Sequence, residues 1–203
     1  MRGSNLFVGL GNPGPEYVMT RHNIGWLVLD RFAEEVGVEL TEQVGEALLG
    51  RRSYAGSKLV VMKPLSFMNL SGRPVAKVLA AEGLTSANMV VIHDDLDLEP
   101  GQLKLQVGRG AGGHNGVLSL QERLGSNDFA RLRVGIGRSD LRGGMRDFVL
   151  ESFGEAELTQ VVGPAVDRAV EALKSICARG LVATMNEVNR RPREHEEEHK
   201  EEE

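Results

Sequence analysis

The side chains of this chain that could do chemistry together are few, and they stand where strands would end: Asn12 and His22, Asn69, Asp94 and Asn115. A histidine can take a proton from water near neutral pH when a carboxylate fixes its tautomer and offsets the charge it gains. Asparagine amides can meanwhile hold a carbonyl in place for attack. No serine lies in a nucleophile-elbow motif, so activated water is the nucleophile this set offers. His22 taken alone reads as a structural histidine, and only its convergence with the others gives it a catalytic reading. Asp94, Asp95 and Asp97 crowd four positions and invite a metal, yet no histidine or glutamate cluster at ligand spacing accompanies them. Mutual repulsion disfavours burying all three. Asp94, directly at a strand end, is best placed to orient a histidine.

Bringing these groups together requires a sheet whose strand ends converge. Leu6-Phe7-Val8 and Met89-Val90-Val91-Ile92 are apolar runs of the buried-strand type. Leu48-Leu49, Leu59 to Met62, Leu103 to Val107 and Arg131 to Gly137 add further strands, with Ala55-Gly56-Ser57 as a hairpin turn. Helical spacing runs from Ile24 to Val36, through Val75 and Leu79, from Leu118 to Leu124, and from Glu155 to Arg179, where Pro164 should kink or divide the helix. Ser71 is expected to cap the second of these helices. Gly143-Gly144 marks a loop, and Val182 to Val188 reads as a short terminal element. Strands alternating with helices predict an α/β fold: a single domain with a mostly parallel, mixed, twisted sheet and helices on both faces.

Two glycine-rich stretches flank the candidate chemistry. Gly9, Gly11 and Gly14 follow a predicted strand and spell G-x-G-x-x-G, the dinucleotide fingerprint. The third glycine should then open a helix that holds pyrophosphate, but Pro15 and Glu16 follow it, and Glu34 and Glu35 fall in helical spacing rather than at a strand end. The letters match and the context does not. Gly108 to Gly116 is the second stretch; bare amides ahead of a helix suit an anion or a closely approaching backbone. Arg131 and Arg133 share one strand face, either as a phosphate clamp or as an exposed edge.

With 203 residues, 41% hydrophobic and only 4% aromatic, the chain supports one ordinary domain with an aliphatic core. Cys177 is the one cysteine, which excludes an internal disulfide, and its apolar neighbours Val170, Leu173 and Ile176 make it a buried, inert thiol. No signal peptide and no apolar run of about 20 residues is present, so a soluble cytoplasmic protein is expected. Met1 to Ser4 could be a leader that is not native. The formal charge of −5 is uneven: Lys104 to Arg146 holds 8 basic and 3 acidic residues, a local +5, while Arg190 to Glu203 holds 4 basic and 7 acidic. A local basic face can bind phosphate on an acidic protein. Residues 190–203 are expected to form a charged, disordered tail behind a catalytic domain spanning 1–189.

GLGNPGPEY with TRHN, then KPLSFMNLSG, HDDLDL, GGHNG and RLRVGIG, in this order and spacing, resemble the motifs of bacterial peptidyl-tRNA hydrolases over about residues 6 to 189. The resemblance implies hydrolysis of the ester between a peptide and the 3′ adenosine of tRNA by a monomer, with peptidyl-tRNA as partner and neither metal nor organic cofactor. It makes His22 the general base, Asp94 the group that keeps it basic, and Asn12 a contact on the peptide side that helps reject free aminoacyl-tRNA. Tyr17, Phe67, Asn69 and Asn115 would line the site, with Met68 and His114 close by, and Lys104 and Arg133 would contact phosphate. Gln106 departs from the pattern, because the family often has lysine there. Two rivals, a dinucleotide-dependent oxidoreductase and a non-catalytic tRNA-binding module, would leave His22 without a role in hydrolysis.

Overall fold

A computed structural model describes residues 5–138 and 144–190. The candidate leader, Gly143 of the expected loop and the charged tail beyond Arg190 lie outside the described residues. In chain order the elements are β1 (Asn5–Gly9), α1 (Ile24–Val36), β2 (Glu42–Val44), β3 (Ala47–Tyr54), β4 (Ser57–Pro64), α2 (Gly72–Glu82), β5 (Met89–Asp95), β6 (Leu103–Val107), α3 (Asn115–Leu124), β7 (Ala130–Gly135), α4 (Met145–Leu150), α5 (Glu155–Glu157), α6 (Gly163–Arg179) and α7 (Leu181–Val188).

The strands form one seven-stranded sheet in the order β2-β3-β4-β1-β5-β7-β6. Its centre, β4-β1-β5-β7, is parallel, whereas the outer pairings are antiparallel. The expected mostly parallel sheet is thus corrected: three of the six pairings are parallel. Short connections explain the edges, because a parallel return needs a crossover of about a dozen residues. Ala55 and Gly56 join β3 to β4 with φ of 49° and 77°, the left-handed pair a two-residue hairpin demands. Residues 96–102 are likewise too few to carry β6 back parallel to β5.

Both faces are buried, which is why the central strands read as unbroken apolar runs. Along β1, Phe7 joins the core under α1 and α6, while Leu6 and Val8 join the core under α2 and α3. β4 and β5 alternate the same way. α7 adds Leu181 and Met185 to the first core. No helix of the described residues is long and apolar enough to cross a membrane.

Two local expectations change and a third is met. Ser71 does not cap α2; its hydroxyl donates to the Met68 carbonyl at 2.9 Å, and the Gly72 amide is taken by the Ser119 hydroxyl at 3.0 Å. Pro164 divides the long helix, as expected: α5 gives way to a π-helical turn at Leu158–Val162, and α6 starts at Gly163 with Pro164 in its first turn. β7 is an inner strand, so Arg131 and Arg133 are not an exposed edge.

Candidate active site

Because β4, β1 and β5 are parallel, the segments that follow them emerge on the same side of the sheet. The segment after β1 is drawn tight against α1. A Cβ on Gly9 would lie 2.5 Å from the Gly25 carbonyl oxygen, one on Gly25 would lie 2.4 Å from the Ile92 oxygen, and one on Gly11 would lie 2.7 Å from the Trp26 ring. Two glycines of the apparent fingerprint are therefore packing residues. Only a three-residue 3-10 turn, Pro15–Tyr17, follows Gly14, and the α-helix begins at Ile24, so no α-helix N-terminus faces a pyrophosphate there.

This packing fixes Asn12. Its amide N–H donates to Asn23 Oδ1 at 2.9 Å, and Asn23 Nδ2 donates back to the Asn12 carbonyl at 3.0 Å. The Met68 amide, on the segment after β4, donates to Asn12 Oδ1 at 2.8 Å. With that oxygen occupied, Asn12 keeps its two side-chain N–H donors for the cleft it lines. Asn23 is the last residue of the TRHN motif, and its bracing of Asn12 is not visible in sequence.

Asp94, at the end of β5, is buried and receives two histidines on one oxygen. His22 Nδ1 lies 2.8 Å and His114 Nε2 lies 2.9 Å from Asp94 Oδ1. His114 Nδ1 accepts the Gly116 and Val117 amides at the start of α3, so its proton must sit on Nε2 and be donated to Asp94. Donation from His22 Nδ1 in turn leaves His22 Nε2 as an unprotonated lone pair. Burial opposes the charge on Asp94, yet the two imidazoles hold its carboxyl well below the usual carboxylate range. The other two carboxylates separate as repulsion requires: Asp95 pairs with Arg133 and Asp97 with Arg138.

His22, Asp94 and His114 do bring three potential metal ligands within 4.8 Å of one another. The donor set does not suit an ion. Ligation by His114 Nε2 would move the proton to Nδ1, where it would face two amide N–H groups. Hydrogen bonds instead satisfy His22 Nδ1, Asp94 Oδ1 and both nitrogens of His114. Beneath them lies His93, which sequence reading passed over. Its Nδ1 is 2.7 Å from the Asp94 carbonyl and its ring stands edge-on to His114, centroids 4.7 Å apart. Burial, and then His114 beside it, hold His93 well below the ordinary histidine value.

These groups open on a cleft of about 840 Å³. Asn12, Tyr17, His22, Phe67, Met68, Asn69, Asp94, His114 and Asn115 all line it, so nine of the eleven expected site residues meet. Phe67 is 55% exposed, an apolar wall open to solvent. Lys104 and Arg133 do not line the cleft. They face each other across β6 and β7, and Arg133 is already engaged by Asp95 at 2.5 Å and by Gln106 Oε1 at 3.1 Å. Gln106 thus turns inward as a tether where a lysine would add charge. Burial, and then Arg133 beside it, lower Arg131 from its ordinary value. Cys177 is buried in the first core, and burial pushes its thiol up to about 11, as an inert thiol requires.

The far wall of the cleft comes from α4, a six-residue helix that left no periodic signal. Met145, Arg146, Val149 and Leu150 line it. Arg21 fastens this wall to the catalytic turn: its guanidinium lies 4.5 Å from the Phe148 ring centre, and it donates to the Glu151 and Ser152 carbonyls and to Glu157.

Comparison with known proteins points to one family. A family described as peptidyl-tRNA hydrolase matches residues 6–198. A peptidyl-tRNA hydrolase of Symbiobacterium thermophilum is 45% identical over 188 residues, covering 92% of this chain and 99% of that protein. One from Geobacter sp. strain M21 is 44% identical, covering 93% and 99%. Among solved structures, peptidyl-tRNA hydrolase from Acinetobacter baumannii superposes with a TM-score of 0.85 at 31% identity, covering 93% of this chain and 96% of that one.

Proposed function

The chain belongs to the peptidyl-tRNA hydrolase family, and we propose that it hydrolyses the ester joining a peptide to the 3′ end of tRNA by a water that His22 deprotonates. Membership carries the reaction and the substrate. The observation behind the roles is the single Asp94 oxygen shared by His22 and His114. It fixes His22 with its proton on Nδ1 and leaves Nε2 basic at the cleft. As the water's proton moves to Nε2, the imidazolium forms beside a buried carboxylate that stabilises it. The attacked carbonyl becomes an oxyanion, and the side-chain N–H groups of Asn12 are the donors held in place for it. The proton then passes to the ribose oxygen as the ester bond breaks, which frees peptide and tRNA.

Phe67, Met68 and Tyr17 supply an apolar surface for the peptide, and Asn69 and Asn115 supply donors and acceptors for the terminal adenosine. Selection against free aminoacyl-tRNA falls to Asn12, because a charged amine gains nothing beside fixed N–H donors. Every residue in this reading belongs to one chain, so it needs no second copy. The reaction belongs in the cytoplasm, where translation strands its substrate.

The test is cleavage of N-acetyl-aminoacyl-tRNA beside the unblocked aminoacyl-tRNA, by wild type and by His22→Ala. Rapid release from the blocked substrate alone is expected, with turnover lowered about 10²- to 10⁴-fold in the mutant and tRNA binding largely kept. Unchanged turnover in His22→Ala would leave the chain with a different base or a binding role only.

A further inference from the structure

Of the glycine-rich segment 108–113, the cleft uses only the last residues, Ala111 to Gly113. The rest has a topological task. β6 runs antiparallel to β7, so Val107 stands beside Ala130, at the end of the sheet away from Asp94. The chain must climb back over the sheet to deliver His114. Arg131 lies under this climb and is 2% exposed. Its Nη2 donates to the carbonyls of Gly108 at 2.9 Å and Gly110 at 3.0 Å, with that of Arg109 at 3.4 Å.

The described peptide bonds include no cis bond, and in a trans peptide the carbonyl and the next amide N–H point in opposite directions. The Gly108 and Gly110 carbonyls drawn inward onto Arg131, with the Arg109 carbonyl shared between Arg131 and Gln121 Nε2 at 2.7 Å, therefore turn the N–H groups of Arg109, Gly110 and Ala111 outward. None of the three has an acceptor among the described residues. Neighbouring amides aimed the same way form a concavity for an anion.

The charges agree. Arg131 is a buried cation whose hydrogen bonds go to carbonyls rather than to a carboxylate, and its Nε is unpartnered. Arg133, on the same strand face, is neutralised by Asp95. The Arg109 side chain is exposed and, like Lys104, makes no ion pair among the described residues. Arg109 also holds φ at 72°, a conformation that only glycines otherwise take in this segment.

Resting on the reading of the substrate as a tRNA ester, we infer that the outer face of residues 109–111 binds a backbone phosphate of the RNA leading into the cleft. The three amides and the Arg109 guanidinium take its oxygens, and Arg131 adds positive charge from below. This site uses neither Lys104 nor Arg133 and supplies a contact that Gln106 cannot make.

An RNA phosphodiester and free inorganic phosphate present similar oxygens, and the test separates them. Amide spectra of the ¹⁵N-labelled full chain are recorded with a single-stranded RNA trinucleotide, with inorganic phosphate and with adenosine. The Arg109, Gly110 and Ala111 signals should move with the trinucleotide at concentrations where the other two leave them in place. Arg109→Gly keeps the backbone conformation and removes the charge. It should weaken trinucleotide binding roughly three- to tenfold and flatten the plot of log affinity against log salt by about 0.7. It should also lower kcat/KM several-fold more on N-acetyl-aminoacyl-tRNA than on the N-acetyl-aminoacyl ester of adenosine, which has no phosphate. Signals that stay still with the trinucleotide, that move equally with inorganic phosphate, or an equal loss on both esters would overturn the inference. Failure of the wild type to cleave either ester is a separate result, and it counts against the proposed hydrolysis rather than the phosphate site.

Discussion

Where β1 ends and the next segment begins, a Cβ on Gly9 or Gly11 would collide with Gly25 or Trp26 at under 3 Å. In the segment after β6, a Cβ on Gly108, Gly110, Gly112 or Gly113 would meet nothing within 4 Å. The first segment needs glycine because a helix presses on it; the second needs glycine because its backbone turns left-handed, with φ of 62° and 81° at Gly112 and Gly113. Both segments end on a histidine that donates to Asp94. One histidine is fixed by close packing and the other by backbone shape and two amide bonds. Letters alone cannot separate these uses, which is how a packing pair came to resemble a nucleotide fingerprint.

The largest effect that would sharpen this contrast is on stability. Gly9→Ala places a methyl group against backbone atoms of Gly25 and against Leu29 Cβ at 3.1 Å. Backbone cannot rotate away as a side chain can, so α1 must lift from the sheet. A loss of about 3 kcal/mol is expected, measured as a lower urea midpoint at unchanged slope. A midpoint close to wild type would mean that the first segment is as open as the second, and the contrast would fail.

The same distinction explains what could be read from sequence. Buried strands announce themselves, since Leu6-Phe7-Val8 and Met89 to Ile92 are apolar on both faces. The helix read from Ile24 to Val36 ends there because Gly37 turns left-handed, and Gly83 ends α2 in the same way. The polar residues at strand ends were legible as a group because parallel strands deliver their ends to one side. Direction of the outer strands was not, because an apolar run looks alike whichever way it points. β2 is wholly exposed and α4 is six residues long, so neither carries a period. The burial of Arg131 and His93 is hidden for another reason: a basic side chain carries no mark of burial, and only the fold shows that these two are enclosed.

Acid pH tests the place where the two segments meet, with an intermediate effect. His93 stays neutral in the fold, whereas in the unfolded chain it gains a proton below about pH 6.5. Its contribution is therefore complete above that pH and declines as the pH falls. Asp94 stays ionised in the fold, whereas the unfolded carboxyl takes a proton near pH 3.9, so a second loss begins below about pH 4. Unfolding free energy should thus fall in two stages, with none of this loss above neutrality. His93→Asn should flatten the first stage and Asp94→Asn the second. A wild-type curve flat from pH 7 to 5 would show that His93 protonates freely, and that the junction is looser than its burial implies.

The smallest effect comes from the open segment, and it is the most discriminating because the first segment allows nothing like it. Gly110 has open space at its Cβ position and no left-handed φ. Gly110→Ala should therefore be neutral or gain about 0.5 kcal/mol, since alanine restricts the unfolded chain at no cost to the native one. Two positions on, Gly112→Ala should lose about 1 kcal/mol from conformation alone, because φ there is 62° with equal space around it. Chemical denaturation of the two variants side by side separates shape from packing within a single loop. Equal losses at 110 and 112 would mean that space, not backbone conformation, limits this segment, and that Arg131 holds it against a surface rather than open to solvent.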